Sequence, residues 1–193
     1  MATPVASSRR ARLALLATML AAVVRAQELP PPAYQVAAQR VGIPSTILYA
    51  VALQESGAHL NGRLIPWPWT LNVAGTSRRF ATRAEACNHL RRALRDVPPT
   101  HIDAGLGQIN LGYQRHRYRD ACDVLDPYRN LGFAAEILRE QHTPDDDWLL
   151  AIGRYHRPAG GAPAVRYRTS VSQHLARLRG ESTLGVLPRI PRP

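Results

Sequence analysis

The sequence predicts a mainly α (α+β) domain with one small β-hairpin, on three observations. Apolar residues recur at helical spacing in successive segments, each opened or closed by Pro, Gly or a capping residue. A single stretch, Trp67-Pro-Trp69-Thr-Leu71-Asn-Val73, alternates at the period of a strand. The chain has 193 residues, 45% of them hydrophobic, which suits one domain with a core and some appendages and argues against wholesale disorder.

The elements follow in order. Arg9, Arg10 and Arg12 precede the apolar run LALLATMLAAVV (13–24), and Val24 and Ala26 sit where a signal peptidase reads. The run is too short to span a bilayer comfortably, so residues 1–26 read as a cleaved secretory signal that leaves no stable membrane span, with an uncleaved anchor as the alternative. QELPPP (27–32) leads into a helix over 33–41 that stops at Gly42. Pro44 and Ser45 open a second helix, which Gly57 ends. Trp67 to Val73 form one strand, AGT (74–76) turns, and a return strand passes through Arg79 and Phe80. Pro68 marks this strand as an edge. Thr82 and Glu85 make a capping box for a helix over 83–96, whose apolar face carries Ala86, Cys87, Leu90, Ala93 and Leu94.

VPPTHIDAG (97–105) reads as a loop and LGQINLGYQ (106–114) as a short helix or turn. Asp126-Pro127 caps a helix with Leu131, Ala134, Ala135 and Leu138 on one face. Thr143-Pro144 and Asp145 to Asp147 start the next, with Trp148, Ile152 and Tyr155 on its apolar face. A last helix runs from about Ala164 to Leu178. Residues 30–178 therefore make up the domain, and 179–193, which lack an amphipathic period, read as a mobile tail.

The second helix holds the most informative residue. Ile47, Val51 and Glu55 are spaced i, i+4, i+8, which puts Glu55 on the core-facing stripe of an apolar helix. It also lies in the last turn, at the negative end of the helix dipole. Burial and the dipole both disfavour the carboxylate, so Glu55 is expected to hold its proton near neutral pH, as a general acid must. The bland alternative is a glutamate at the rim of the stripe with its head in water.

Net charge is +11, and all 25 basic residues are arginine. A basic exported protein points to an anionic partner, whether nucleic acid, a membrane face or an acidic polymer. The arginines are scattered and no nucleic-acid motif is present, so no nucleic-acid partner is expected. Cys87 and Cys122 lack CxxC spacing, and in an oxidising compartment they are expected to pair, with two buried free thiols as the alternative. The seven histidines show no ligand spacing, so no metal is expected, and no cofactor either.

Three motifs occur in order: ALQESG (52–57), IDAGLGQIN (102–110) and AIGRYH (151–156). With them the chain resembles the soluble lytic transglycosylase family over about 40–178. PWPWTLNVAG (66–75) is most similar to the small members that accompany conjugation, type IV secretion or pilus systems. The family pattern is Glu-Ser at a helix end, then Gly-Leu-Met-Gln, then Ala-Tyr-Asn-Ala-Gly. Glu55-Ser56 matches the first and Gly105-Leu106-Gly107-Gln108 the second, with Gly107 in place of Met. Tyr155 matches the Tyr of the third, and His156 stands where Asn is usual.

The resemblance implies a lysozyme-like fold, a periplasmic location and peptidoglycan glycan strands as substrate. It implies that Glu55 protonates the MurNAc–GlcNAc β-1,4 oxygen and then, as base, draws the proton from the MurNAc 6-hydroxyl. That hydroxyl attacks C1 and leaves a 1,6-anhydro end, the substrate N-acetyl group standing in for a second carboxylate. It further implies that Ser56 and Gln108 line the sugar site and that Tyr155 points its hydroxyl at Glu55. Asn110 either reaches the site or caps the next turn. Trp69, with Trp67, either stacks on sugars or packs against the sheet. Asp103 reads as a loop cap. Partners implied are the glycan strands and, at system level, an envelope-spanning secretion or conjugation machine. The alternatives are a catalytically weak or inactive wall-binding assembly factor, a hydrolytic muramidase, and, on charge alone, a DNA-binding accessory.

Overall fold

The computed structural model describes residues 27–181. The segment 1–26 expected to be a signal and most of the tail expected at 179–193 lie outside the described residues. Among those described, 57% are helical and 14% are in strands, so the domain is mainly α with a small β part.

Helix α1 (Pro32–Val41) carries Pro at its first turn and ends at Gly42, whose φ of 67° is the left-handed cap expected there. Helix α2 (Ser45–Ser56) follows. Ile47 through Leu53 are all buried, so α2 has no solvent face. It is the central helix of the core rather than an amphipathic one: from Ile47 to Leu53 it is enclosed on all sides, and Glu55 beyond that stretch is half-buried. Gly57 ends α2, but not through a left-handed cap: its φ is −52° and ψ 131°. Glycine is required there by space, because a Cβ would lie 2.3 Å from the Leu53 carbonyl oxygen.

The β part is larger than one hairpin. Strands β1 (Gly57–Leu60) and β2 (Arg63–Pro66) pair antiparallel through a tight turn at Asn61-Gly62. Both turn residues have positive φ, 49° and 75°, which suits the hairpin turns that favour Asn-Gly. Trp67 to Trp69 form a turn, not a strand, so Pro68 is outside the ladder. Strands β3 (Thr70–Val73) and β4 (Thr76–Arg79) make the expected hairpin around Ala74-Gly75.

Helix α3 (Arg83–Asp96) opens as expected on Thr82, whose hydroxyl accepts from Glu85 N. The Glu85 side chain accepts from Ala81 N, one residue earlier than a strict capping box. The 97–114 stretch is not plain loop. It holds β5 (Ile102–Ala104) and β6 (Ile109–Asn110), which complete a four-stranded antiparallel sheet in the order β4-β3-β5-β6. Helices α4 (Pro127–Glu140), α5 (Trp148–His156) and α6 (Gly161–Leu178) complete the domain. Asp126 and Asp147 cap α4 and α5 by accepting backbone N–H groups.

Around α2 pack α1, α4 and α6, and α5 lies against α6. Leu48, Val51, Leu131, Leu138, Ile152 and Val171 are among the side chains that fill the space between these helices. The β1–β2 hairpin packs on α2, and the four-stranded sheet packs against α3 and α4 and brings Leu71, Ile102 and Ile109 into the same core. A Cys87–Cys122 disulfide, with Cα atoms 5.3 Å apart, ties α3 to the turn at 121–125. No single helix among the described residues is long and apolar enough to cross a membrane.

Candidate active site

Glu55 lies in the last turn of the buried helix, one residue before Ser56 ends it, and its carboxyl lines a cleft of about 860 Å³. The sheet forms one wall, through Asn72, Asp103 and Asn110. The ends of α5 and the following loop form the other, through Tyr155 and His156.

Among the described residues one hydrogen bond holds the carboxyl. Tyr167 in α6 donates its hydroxyl to Glu55 Oε1 at 2.5 Å. His156 lies flat on the Tyr167 ring, 4.5 Å between centroids with the planes 2° apart. Burial pushes the Glu55 carboxyl up to about 7, nearby Asp103 adds to the rise, and the Tyr167 hydrogen bond partly opposes it. The Tyr167 and Tyr155 hydroxyls are raised well above the usual tyrosine value, chiefly by burial and then by Glu55. Both therefore remain protonated donors. Burial, with Arg157, lowers His156 below its ordinary value, while Asp103 acts the other way. A carboxylic acid poised near neutrality in a partly dry cleft can donate a proton and later take one back.

The Gly105–Gln108 turn brings Gln108 to the same cleft as Glu55. Gly105 has φ +84° and leaves no room for a Cβ, which would lie 2.1 Å from Asn130 Nδ2. Asn130 is itself buried in α4. Its Nδ2 donates to Ala104 O and Val124 O, and its Oδ1 accepts from Gly107 N at 2.8 Å. Gly107 is equally constrained: a Cβ there would lie 2.7 Å from Ala134 Cβ and 2.8 Å from the Tyr155 hydroxyl oxygen. In this fold a methionine at 107 would collide with both, so Gly107 belongs with the close packing of α4 and α5 on the turn.

The sequence-identified residues separate into three groups. Glu55, Gln108, Asn110 and Tyr155 line the cleft. Gln108, at φ +45°, uses its Nε2 to donate to Gly105 O and Thr70 O, so it braces the turn as well as lining the site. Ser56 does not reach the cleft. It is fully buried, with its hydroxyl 2.8 Å from Leu106 O and 3.0 Å from Ala52 O, and it ties the helix that carries Glu55 to the turn that carries Gln108. Trp69 also stays outside. It meets Trp67 edge to face at 6.3 Å and packs beside the core, while Trp67 Nε1 donates to Phe80 O.

Tyr155 lines the cleft but aims differently from expectation. Its hydroxyl donates to Gly107 O at 2.6 Å, and the tyrosine bonded to Glu55 is Tyr167. The missing side chain at Gly107 leaves the space that the Tyr155 hydroxyl occupies, and the packing of α6 on α2 brings Tyr167 to the acid.

Sequence reasoning missed Tyr167, Asn130 and Tyr113. Tyr113 is 73% exposed at the cleft rim. Tyr167 carried a weak signal as an apolar-face residue of the last helix. Asn130 sits beside Leu131 on a helix face otherwise read as apolar, and a polar residue in such a place marks a buried hydrogen-bond centre. Among the described residues no group of three or more His, Cys, Asp or Glu side chains is placed to hold a metal ion. Compared with protein-family models, curated proteins and solved structures, the chain matches none.

Proposed function

We propose that the protein is a peptidoglycan lytic transglycosylase with a lysozyme-like arrangement, and that Glu55 is its acid and base. The observation that carries this is the Glu55 carboxyl lining the cleft, pushed up to about 7 and held by one tyrosine hydroxyl. Glu55 donates its proton to the β-1,4 oxygen between MurNAc and GlcNAc. The C1–O bond breaks as positive charge develops at C1, which the neighbouring N-acetyl oxygen stabilises. Glu55, now ionised and steadied by the Tyr167 hydroxyl, draws the proton from the MurNAc 6-hydroxyl, whose oxygen closes on C1. The products are a free GlcNAc 4-hydroxyl and a 1,6-anhydro-MurNAc end, and no water is consumed.

The cleft supports this reading with amide and hydroxyl groups along the sheet wall and the exposed Tyr113 ring at its rim, a surface suited to a polar chain with apolar ring faces. The Cys87–Cys122 pairing supports an oxidising compartment, in keeping with export to the periplasm. Local wall opening for a secretion or conjugation apparatus is the setting that the sequence resemblance favours.

The test is digestion of purified sacculi with analysis of the released muropeptides by mass spectrometry. Anhydro-MurNAc ends are expected from the wild type, and Glu55→Gln should release none above background. Sacculi that bind the protein but release nothing would refute the enzyme and favour a wall-binding factor.

A further inference from the structure

Asp103 occupies the middle of a polar row that crosses the four-stranded sheet. The register pairs Ser77 with Asn72, Asn72 with Asp103, and Asp103 with Asn110, one residue per strand. All four line the cleft that holds Glu55. An aspartate kept to cap a turn accepts backbone N–H groups. Among the described residues Asp103 accepts none. Its only hydrogen bond comes from a side chain, Asn110 Nδ2 to Asp103 Oδ1 at 2.9 Å. Asn110 is in turn locked: Nδ2 also donates to Thr100 O, and Oδ1 accepts from Gly112 N and Tyr113 N. One Asp103 oxygen is thus held by a rigid amide, and the other has no partner among the described residues.

We propose that Asp103 is a second working carboxylate of this cleft, the base that takes a proton from a water attacking C1, so that the protein also hydrolyses the strand. The inference rests on the reading of Glu55 as the acid. In the step, Glu55 gives its proton to the bridging oxygen, and the C1–O bond breaks with its electron pair staying on that oxygen. A water oxygen bonds to C1 and the water's proton passes to Asp103. One sugar gains a hydroxyl at O4 and the other a hydroxyl at C1. Solvent then carries the proton from Asp103 back to Glu55, so one water is consumed per bond.

The environments divide the roles. Glu55 is half-buried at the cleft and keeps its proton to about neutrality. Burial raises Asp103 as well, but the Asn110 N–H and His156 both favour its ionised form. Two carboxyls in one cleft, one without an amide partner and one held by a fixed amide N–H that favours its ionised form, can serve as an acid and a base. The other titratable groups that line this cleft are Tyr113, Tyr155, His156 and Arg157. Of these, Tyr155 is kept protonated by burial.

The experiment compares product ends. Sacculi are digested with the full-length wild type, Asp103→Asn and Glu55→Gln, then treated with borodeuteride, which tags reducing MurNAc ends and leaves anhydro ends unchanged. Mass spectrometry counts both. The wild type is expected to give both kinds of end, and Asp103→Asn to lower the ratio of reducing to anhydro ends by about a hundredfold or more, the lower end of what a general base contributes. The wild type alone supplies a second readout, independent of whether the variant folds: the ratio should fall as acid protonates Asp103. Anhydro ends only from the wild type, or a ratio that neither the variant nor acid changes, would overturn the proposal and leave the transglycosylase reading standing. No cleavage by the wild type, or cleavage that survives Glu55→Gln, would overturn both.

Discussion

Replacing Tyr167 with Phe isolates the one hydrogen bond that opposes burial at Glu55. The Tyr167 hydroxyl donates to Glu55 Oε1, and a donor of this kind stabilises the ionised carboxylate. Removing it must therefore raise the Glu55 pKa above its starting point of about 7. A hydrogen bond to a charged group contributes roughly 1.5–3 kcal/mol, and each pH unit corresponds to about 1.4 kcal/mol, so the full loss would move the midpoint by about 1–2 units. A water entering from the cleft would recover part of this, which leaves about one unit as the expected rise. The phenyl ring keeps the surface on which His156 stacks, so packing changes little. The assay is a carboxyl-carbon NMR titration of glutamate-labelled protein, with the Glu55 signal identified by its loss in Glu55→Gln. If the enzyme reading holds, the alkaline limb of glycan cleavage moves upward with it. A Tyr167→Phe midpoint equal to or below the wild type, or a wild-type Glu55 that titrates near 4.5, would refute the account of this site.

Three further outcomes follow from the same structure. Glu55 has its folded pKa raised from 4.5 to about 7, so the native state holds this proton more tightly than the unfolded chain does. The associated stability is fully present below pH 4.5 and is lost as pH rises to about 7, a change of ~3 kcal/mol. Glu55→Gln should therefore gain about that much on the wild type between pH 4 and 8 in urea unfolding; parallel pH profiles would contradict it. Asn130→Ala removes three hydrogen bonds and strands Ala104 O, Val124 O and Gly107 N in the interior. A loss of about 3 kcal/mol is expected, read as a lower urea midpoint, and a loss under about 1 kcal/mol would show that the turn finds other partners. Replacing both Cys87 and Cys122 with Ser releases a cross-link across a separation of 35 residues. That should lower stability by roughly 3–4 kcal/mol, and an unchanged melting temperature would remove the disulfide from the account.

Much of the helical scaffold was legible because its signals are local. Gly42, Thr82, Asp126 and Asp147 act on backbone groups within a few residues, and each does so in the structure. The hairpin at 57–66 was also legible in principle. Asn61-Gly62 is a strong two-residue turn signal, but the flanking strands, four residues each, are too short to show a period. Strands β5 and β6 are too short to show a period at all. They exist because β3 supplies a partner for β5 and β5 one for β6.

The sequence by itself determined that a glutamate ends an apolar helix, that two cysteines stand ready to pair, and that a Gly-rich turn and a late tyrosine motif follow. Each of these is written in spacing or in residue type. Only the tertiary structure decided what those residues touch. Ser56 meets Leu106 across 50 residues and is lost to the cleft, while Tyr167 meets Glu55 across 112 and takes the place expected of Tyr155. Asp103 passes from loop cap to cleft wall because β5 joins a sheet. The physical reason is common to all three. A helix cap or turn is selected by the backbone within one turn of chain, whereas the partner of a buried hydroxyl or carboxyl is set by which distant elements pack together. That packing is a property of the whole core, in which α6 lies on α2 and α4 holds the Gly105–Gln108 turn through Asn130.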